Sequence, residues 1–520
     1  MEQFDYVIVG AGAAGCLLAE RLSADGKNTV ALIEAGGSDR HPNVMIPAAF
    51  AKLFGSDRDW AYYTEPQPGL NQRRLFWPRG KMLGGSSSIN AQMYVRGHRR
   101  DYEGWADALG WSYADIRAAF AGFERYLDGG PEFGRDGAQV IEKQRDPNPT
   151  TFAFLEACNE LGIRTIADVG EFENEGVQLT SVTQKRGLRF SAADAFLRPA
   201  LGRKNLSVLK KLRTDRIELD GTRALGVQST GDDGRVQTIR ARREVVLCAG
   251  AIGTPQLLLL SGVGPAADLR THGISVVRDA PEVGRNLQDH TLTGVIHHCP
   301  QPVTLFLAES LKNLALFVGA RRGMLTSNVG EAAAFVRSDP SLDAPDLELI
   351  YAPVPYIDHG TVKPTGHGIS IAVILLTPES RGSVSLLSRD PSAPPRIDPN
   401  YQSDARDLAR IAWGVRLAEK LFHTRALTPF TGDLLEGVPA EAPDVELEAY
   451  IREQTETLYH PVGTCRAGSD EASVVDPSLC VRGLQGLRIA DASVMPTINR
   501  GHTYAPTLML AERAAAMIRA

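Results

Sequence analysis

The chain has 520 residues, of which 43% are hydrophobic and 23% charged, with a net charge of −6 at pH 7. That length exceeds one ordinary core and predicts two or three folding units, and the mild acidity gives no reason to expect a nucleic-acid partner. No apolar run approaches the roughly 18 residues of a membrane span; Ile369–Leu376 is strand-sized. No basic leader precedes the first apolar run, which reads as no signal peptide. The cysteines (Cys16, Cys158, Cys248, Cys299, Cys465 and Cys480) include no CxxC pair, so free thiols, no metal site and a cytoplasmic location are expected.

The run Tyr6-Val7-Ile8-Val9 predicts a buried strand, followed by Gly10-Ala11-Gly12-Ala13-Ala14-Gly15. Ala14, Leu17, Leu18 and Leu22 then recur at helical spacing. A second strand, Thr29–Ile33, ends at Glu34, 24 residues after Gly10. This order predicts a βαβ dinucleotide-binding unit. Gly10 permits the tight turn, Gly12 the approach of a pyrophosphate, and Gly15 close packing of helix on strand, while Glu34 accepts from a ribose hydroxyl. The segment does not choose between NAD and FAD.

Farther on, Arg79–Asn90 places paired glycines before three serines, a pattern that exposes backbone N–H groups to an oxygen-rich ligand. Helical periodicity runs from about Asp101 to Tyr126. Turns at Asp220-Gly221 and Asp232–Arg235 divide Leu206–Val246 into hairpins, before a buried strand that stops at Gly250. Between Thr291 and Pro399 short apolar runs alternate with proline-rich turns, as in an antiparallel sheet. Asp404–Phe422 predicts an amphipathic helix, and a last helix carries Pro506 near its first turn.

Four blocks resemble the GMC (glucose–methanol–choline) oxidoreductases. They are Arg79–Asn90, Gly250–Gly264, Tyr459–Thr464 and Asp491–Thr497, in that family's order along nearly the whole chain. The resemblance implies an α/β fold: a Rossmann-like FAD-binding domain interleaved with a substrate domain built on an antiparallel sheet with helices. The expected boundaries are 1–290 for the FAD domain (flavin loop 79–98), 291–455 for the substrate domain, and 456–520 for a return carrying the catalytic residues.

It also implies FAD rather than NAD, held by Gly10, Gly12, Ala13, Ala14, Gly15, Glu34, Ala35, Gly84, Ser87 and Thr214, and on the flavin side by Asn90, Ala91, Gln92, Met93, Tyr459, Asp491, Ala492 and Thr503. Where some members carry a flavin-linking histidine this chain has Ile89, so the FAD is expected to be non-covalent. His460 and His502 occupy the family's catalytic positions and imply oxidation of the CH–OH group of a small, primary alcohol to an aldehyde. His460 is then the general base and His502 its partner, and the electrons pass to oxygen or to an electron carrier. A lyase of the same fold is the alternative. Glu331 is a candidate substrate contact or a structural ion-pair member, Arg96 and His98 are expected to support the flavin loop, and the other nine histidines are taken as structural. Oligomeric state and attachment to an inner membrane stay open.

Overall fold

The computed structural model describes residues 2–520. Its first layer is a seven-stranded sheet whose parallel centre runs Leu206–Leu209, Val30–Ile33, Glu2–Val9 and Val236–Leu247. Leu487–Ile489 joins it in parallel, and the hairpins Leu212–Asp220 and Arg223–Gly231 continue it antiparallel. Tyr6, Val7, Ile8 and Val9 are buried on both faces, as strands between parallel neighbours must be. The helix Ala13–Ser23 packs against them on Leu17, Leu18 and Leu22. Gly15 lies so near the turn that a β-carbon there would sit 1.9 Å from the Gly10 carbonyl oxygen. Gly10 itself has φ 99°, which a side chain would strain.

The expected helical stretch from Asp101 to Tyr126 is two helices, Arg99–Leu109 and Tyr113–Phe123. Gly110 ends the first in a left-handed conformation, and Ser112 opens the second by accepting from the Asp115 backbone N–H. Arg96 is buried against Glu124 (2.5 Å) and under the Phe133 ring, and His98 caps the first of these helices. Both therefore brace the segment that follows Arg79–Asn90.

The second sheet is antiparallel throughout, in the order Leu434–Glu436, Thr291–His298, Gly368–Leu375, Leu347–Ala352, Ala332–Val336 and Gly176–Leu179, with Glu456–Thr457 also on Thr291–His298. The helix Ala405–Phe422 covers one face, where Leu347, Leu349, Tyr351, Ile371 and Val373 meet Ile411, Val415 and Ala418. Strand alternation sends Glu348, Ile350 and Ala352 to the opposite face. Their cross-strand partners there are Ile374, Ala372 and Ser370, followed by Leu292.

The segment before residue 290 also contributes to the second sheet. The edge strand Gly176–Leu179 and the helix Pro149–Glu160, which packs on this sheet through Phe154 and Ala157, both come from the segment assigned to the FAD domain. The two layers exchange chain more than once, so their interface is formed by strand ends and crossing loops. Among the described residues no helix is long and apolar enough to cross a membrane, and all six cysteines are free.

Candidate active site

A cavity of about 930 Å³ lies between the two layers, near the upper end of the range for small-molecule sites. Its floor is the glycine turn. Gly12, Ala13 and Ala14 line it, and a β-carbon on Gly12 would meet no protein atom within 4 Å. The N-terminus of Ala13–Ser23 opens on this space with no side-chain cap, leaving its N–H groups for an anion. Glu34 and Ala35 follow at the end of the second strand. The Glu34 carboxylate accepts from the N–H groups of Ala11 (2.9 Å) and Gly36 (2.8 Å), and burial pushes its pKa up to about 7. Thr214 lines the same end.

The Arg79–Asn90 loop crosses above the glycines. Gly85 approaches so closely that a β-carbon there would lie 2.7 Å from the Gly12 Cα. Ser87, Ile89, Asn90, Ala91, Gln92 and Met93 line the next stretch, and Tyr459, Asp491, Ala492 and Thr503 face it from the C-terminal segments. Asp491 accepts from the Gly250 N–H (2.8 Å) and the Thr254 hydroxyl (2.6 Å), which ties the Gly250–Gly264 and Asp491–Thr497 blocks together. The helix Tyr504–Arg519 also begins at the cavity without a side-chain cap. Of the expected cofactor residues, only Gly15 and Gly84 do not line the cavity. Gly15 serves the packing of helix on strand, and Gly84 has the left-handed φ of 85° that turns the loop.

His460 and His502 meet at the cavity wall with ring centroids 4.9 Å apart. Behind them stand two groups that motif reading missed. His290 Nδ1 is 2.9 Å from His460 Nδ1, and Glu348 Oε1 is 3.1 Å from His502 Nε2. His290 Nε2 faces the Leu376 carbonyl at 3.1 Å. A carbonyl only accepts, so that nitrogen carries the proton. Burial, then the neighbouring His502, pushes the His290 pKa down to about 3, so the ring is neutral and its Nδ1 accepts. The shared proton therefore sits on His460 Nδ1, which leaves His460 Nε2 bare.

Burial first, then His502, His290 and Arg79, also hold His460 well below the usual histidine range. Its backbone is fixed by Asp289, which accepts from the His460 N–H (2.7 Å) and from the hydroxyls of Thr457 (2.6 Å) and Tyr401. Burial raises Asp289 to about 6. The signal for His290 was its place one residue before a buried strand, in Asn286-Leu287-Gln288-Asp289-His290, a segment that bridges Val462 through Gln288. Glu348 is a lone carboxylate in an otherwise apolar strand, Leu347–Ala352.

Glu331 is not at the cavity. It is fully buried, accepting from the hydroxyls of Ser327 and Thr151 (both 2.6 Å) and from the Asn148 N–H (2.7 Å), so the substrate role expected of it gives way to a structural one. Among the described residues no cation pairs with it either: hydroxyl and amide donors take the place of the ion pair.

The GMC oxidoreductase family models match residues 4–292 and 378–511. An uncharacterized GMC-type oxidoreductase of Mycobacterium tuberculosis is 49% identical, over 99% of both chains. An alcohol dehydrogenase [acceptor] of Pseudomonas putida is 43% identical, over 99% of this chain and 95% of its own. An oxygen-dependent choline dehydrogenase of Brucella anthropi is 40% identical, over 98% and 94%. Among solved structures, pyridoxine 4-oxidase from Mesorbium loti superposes with a TM-score of 0.91 at 33% identity, covering 99% of both chains. A variant of Aspergillus oryzae formate oxidase, studied for its FAD modification, gives 0.93 at 27%, covering 100% and 98%.

Replacing Glu331 by alanine leaves three buried donors unpaired. It is expected to lower stability by about 2–4 kcal/mol while leaving the KM for substrate within about twofold; thermal melts and steady-state kinetics on one preparation check this. The glycine turn with open space beside Gly12, the uncapped helix ends and the carboxylate at the second strand fit a flavin dinucleotide, and with these relatives they establish that the chain belongs to the GMC oxidoreductases and is an FAD-dependent oxidoreductase.

Proposed function

We propose that this enzyme oxidises the CH–OH group of a small primary alcohol to the aldehyde, with His460 as the base and His502 holding the substrate oxygen. The observation that supports this reading is the pair His460 and His502 at the cavity wall, with His460 Nδ1 taken up by His290, which leaves Nε2 as the nitrogen free to act as a base. Alcohol and choline dehydrogenases among the relatives support it, and they give the lyase alternative no support. Their names include both an unspecified acceptor and oxygen, so either stands as the final oxidant.

Bound FAD supplies a two-electron acceptor for the hydrogen on the alcohol carbon. That carbon–hydrogen bond weakens as the hydroxyl loses its proton, because the growing alkoxide pushes electrons into it. His460 Nε2 takes the proton. His502 has Nε2 engaged by Glu348, which leaves its Nδ1 to orient the oxygen. The uncapped start of Tyr504–Arg519 favours negative charge at its end of the cavity. The buried face of the antiparallel sheet keeps water from the reacting groups. Ile89, at the position of a flavin-linking histidine, has no nucleophile, so the cofactor is held without a covalent bond.

His460→Ala is expected to slow flavin reduction by about 10²–10⁴-fold with FAD content unchanged, as stopped-flow absorbance under anaerobic conditions reports. Reduction at the wild-type rate excludes His460 as the base. Because the His460 pKa is lowered, its competent neutral form persists below the usual histidine midpoint. The wild-type reduction rate therefore stays level from about pH 8 to about pH 6 and falls only in stronger acid. A fall centred near the ordinary value contradicts that assignment.

His290 is a positioning residue. His290→Leu removes the acceptor and is expected to slow reduction by about 10–100-fold, the range in which outer partners of metal-bound imidazoles act. His290→Gln offers an amide oxygen to His460 and an amide N–H to Leu376, and should recover most of the rate with the wild-type pH profile. Equal losses in the two variants reduce His290 to packing.

Acid denaturation should release all the flavin into the supernatant. Colour retained on the protein means a covalent link.

A further inference from the structure

We infer that the alcohol accepted here is uncharged and apolar beyond its reacting carbon, so that neither a quaternary ammonium alcohol nor a polyol is a good substrate. This rests on the alcohol-oxidising reading and narrows it. The inner face of the antiparallel sheet supplies Leu292, Ile350, Ala352 and Ala372 to the cavity, and Met93 and Leu458 complete the wall. Most of these belong to one apolar cluster backed by Ala333, Phe335 and Ile374. The packing is tight: a β-carbon on Gly330 would lie 3.0 Å from both Ile350 Cγ2 and Met93 Sδ.

A cation that leaves water is held best by a counter-charge, and no carboxylate of the cavity is placed to supply one beside this wall. Four carboxylates line the cavity: Glu34, Glu65, Asp232 and Asp491. Glu34 belongs to the glycine-turn end and holds two backbone N–H groups, and Asp232 lies beside Lys211 at the Thr214 end. Glu65 pairs with Arg396, and Asp491 is engaged by Gly250 and Thr254. Glu348, on the same sheet face, does not line the cavity and is held by His502. The charge that does line the cavity beside Tyr459 is positive: the Arg79 guanidinium, which donates to the Tyr459 carbonyl at 2.6 Å.

Polar side chains in this wall are already paired. Ser370 donates to the Val354 carbonyl (2.7 Å) and accepts from the Tyr356 N–H (3.0 Å). Gln92 donates to the Pro47 carbonyl and accepts from Gln184. The Tyr459 hydroxyl is bonded to His359 Nδ1 (2.7 Å) and meets the Tyr356 hydroxyl at 3.3 Å. The hydroxyls of a polyol would lose water here and gain few partners. Phe50 and Phe54 extend the apolar surface outward, with Phe54 tilted against the Tyr459 ring at 5.6 Å.

The test compares choline with 3,3-dimethylbutan-1-ol, which has the same shape with carbon in place of the charged nitrogen, alongside glycerol and a series of n-alkanols. Each is mixed anaerobically with the holoenzyme, and flavin bleaching is followed. The neutral isostere is expected to reduce the flavin at least about a hundredfold faster per mole than choline or glycerol. Within the alkanols the second-order rate should rise about three- to fourfold per added methylene while the chain still meets the wall. Choline or glycerol matching the isostere, or a rate that is flat along the series, overturns the inference and leaves alcohol oxidation standing. If no alcohol bleaches a flavin that dithionite reduces, alcohol oxidation itself falls.

Discussion

The 2.9 Å contact between the Nδ1 atoms of His290 and His460 is the constraint on which the site depends. Two such nitrogens attract only if one carries the proton, and the Leu376 carbonyl behind His290 decides which. An imidazole free to rotate or change tautomer would present a bare nitrogen to the cavity only part of the time. Here the backbone of a buried strand end sets the protonation pattern of a ring two residues removed in the hydrogen-bond chain. Burial also depresses the basicity of both rings.

The two-layer fold makes this possible because each layer supplies what the other lacks. The parallel sheet ends in glycine turns and helix N-termini, which suit phosphates and a polar ring edge. The antiparallel sheet offers a largely apolar face from which Leu292, Ile350, Ala352 and Ala372 line the cavity. His460 and His502 come from the C-terminal segments that return across the junction, and His290 and Glu348 anchor them from the antiparallel layer. Asp289, one residue before His290, binds the His460 backbone, so ring and main chain are fixed by adjacent residues. Glu348 is fully buried, and its Oε1 lies 3.1 Å from His502 Nε2, so it fixes that ring from the antiparallel layer.

The βαβ unit, the hairpins after Leu206, the closing helix and the pair His460/His502 were legible because each has a local signal: glycine spacing, turn residues, helical periodicity or a short motif. His290 and Glu348 were not, since what gives them meaning is a contact with His460 or His502, more than 100 residues away in the chain. Alternation within Leu347–Ala352 puts Glu348 and Ile350 on one face, yet nothing local says which face meets the cavity. Glu331 shows the opposite failure. A lone acid at the start of a strand resembled a cation-binding residue, but Asn148, Thr151 and Ser327, drawn from two other segments, enclose it. The strand Gly176–Leu179 escaped notice because four residues with a glycine at one end carry little strand signal, and its pairing with Ala332–Val336 is long-range.

The claim that His460 faces the cavity with an unprotonated Nε2 is tested most directly by ¹⁵N NMR of the holoenzyme labelled at histidine, with His460→Asn used to assign the resonances. The account predicts, at neutral pH, a His460 ring with its proton on Nδ1 and a bare Nε2 whose resonance shifts when an alcohol analogue binds. A His460 ring protonated on Nε2, or on both nitrogens, contradicts it.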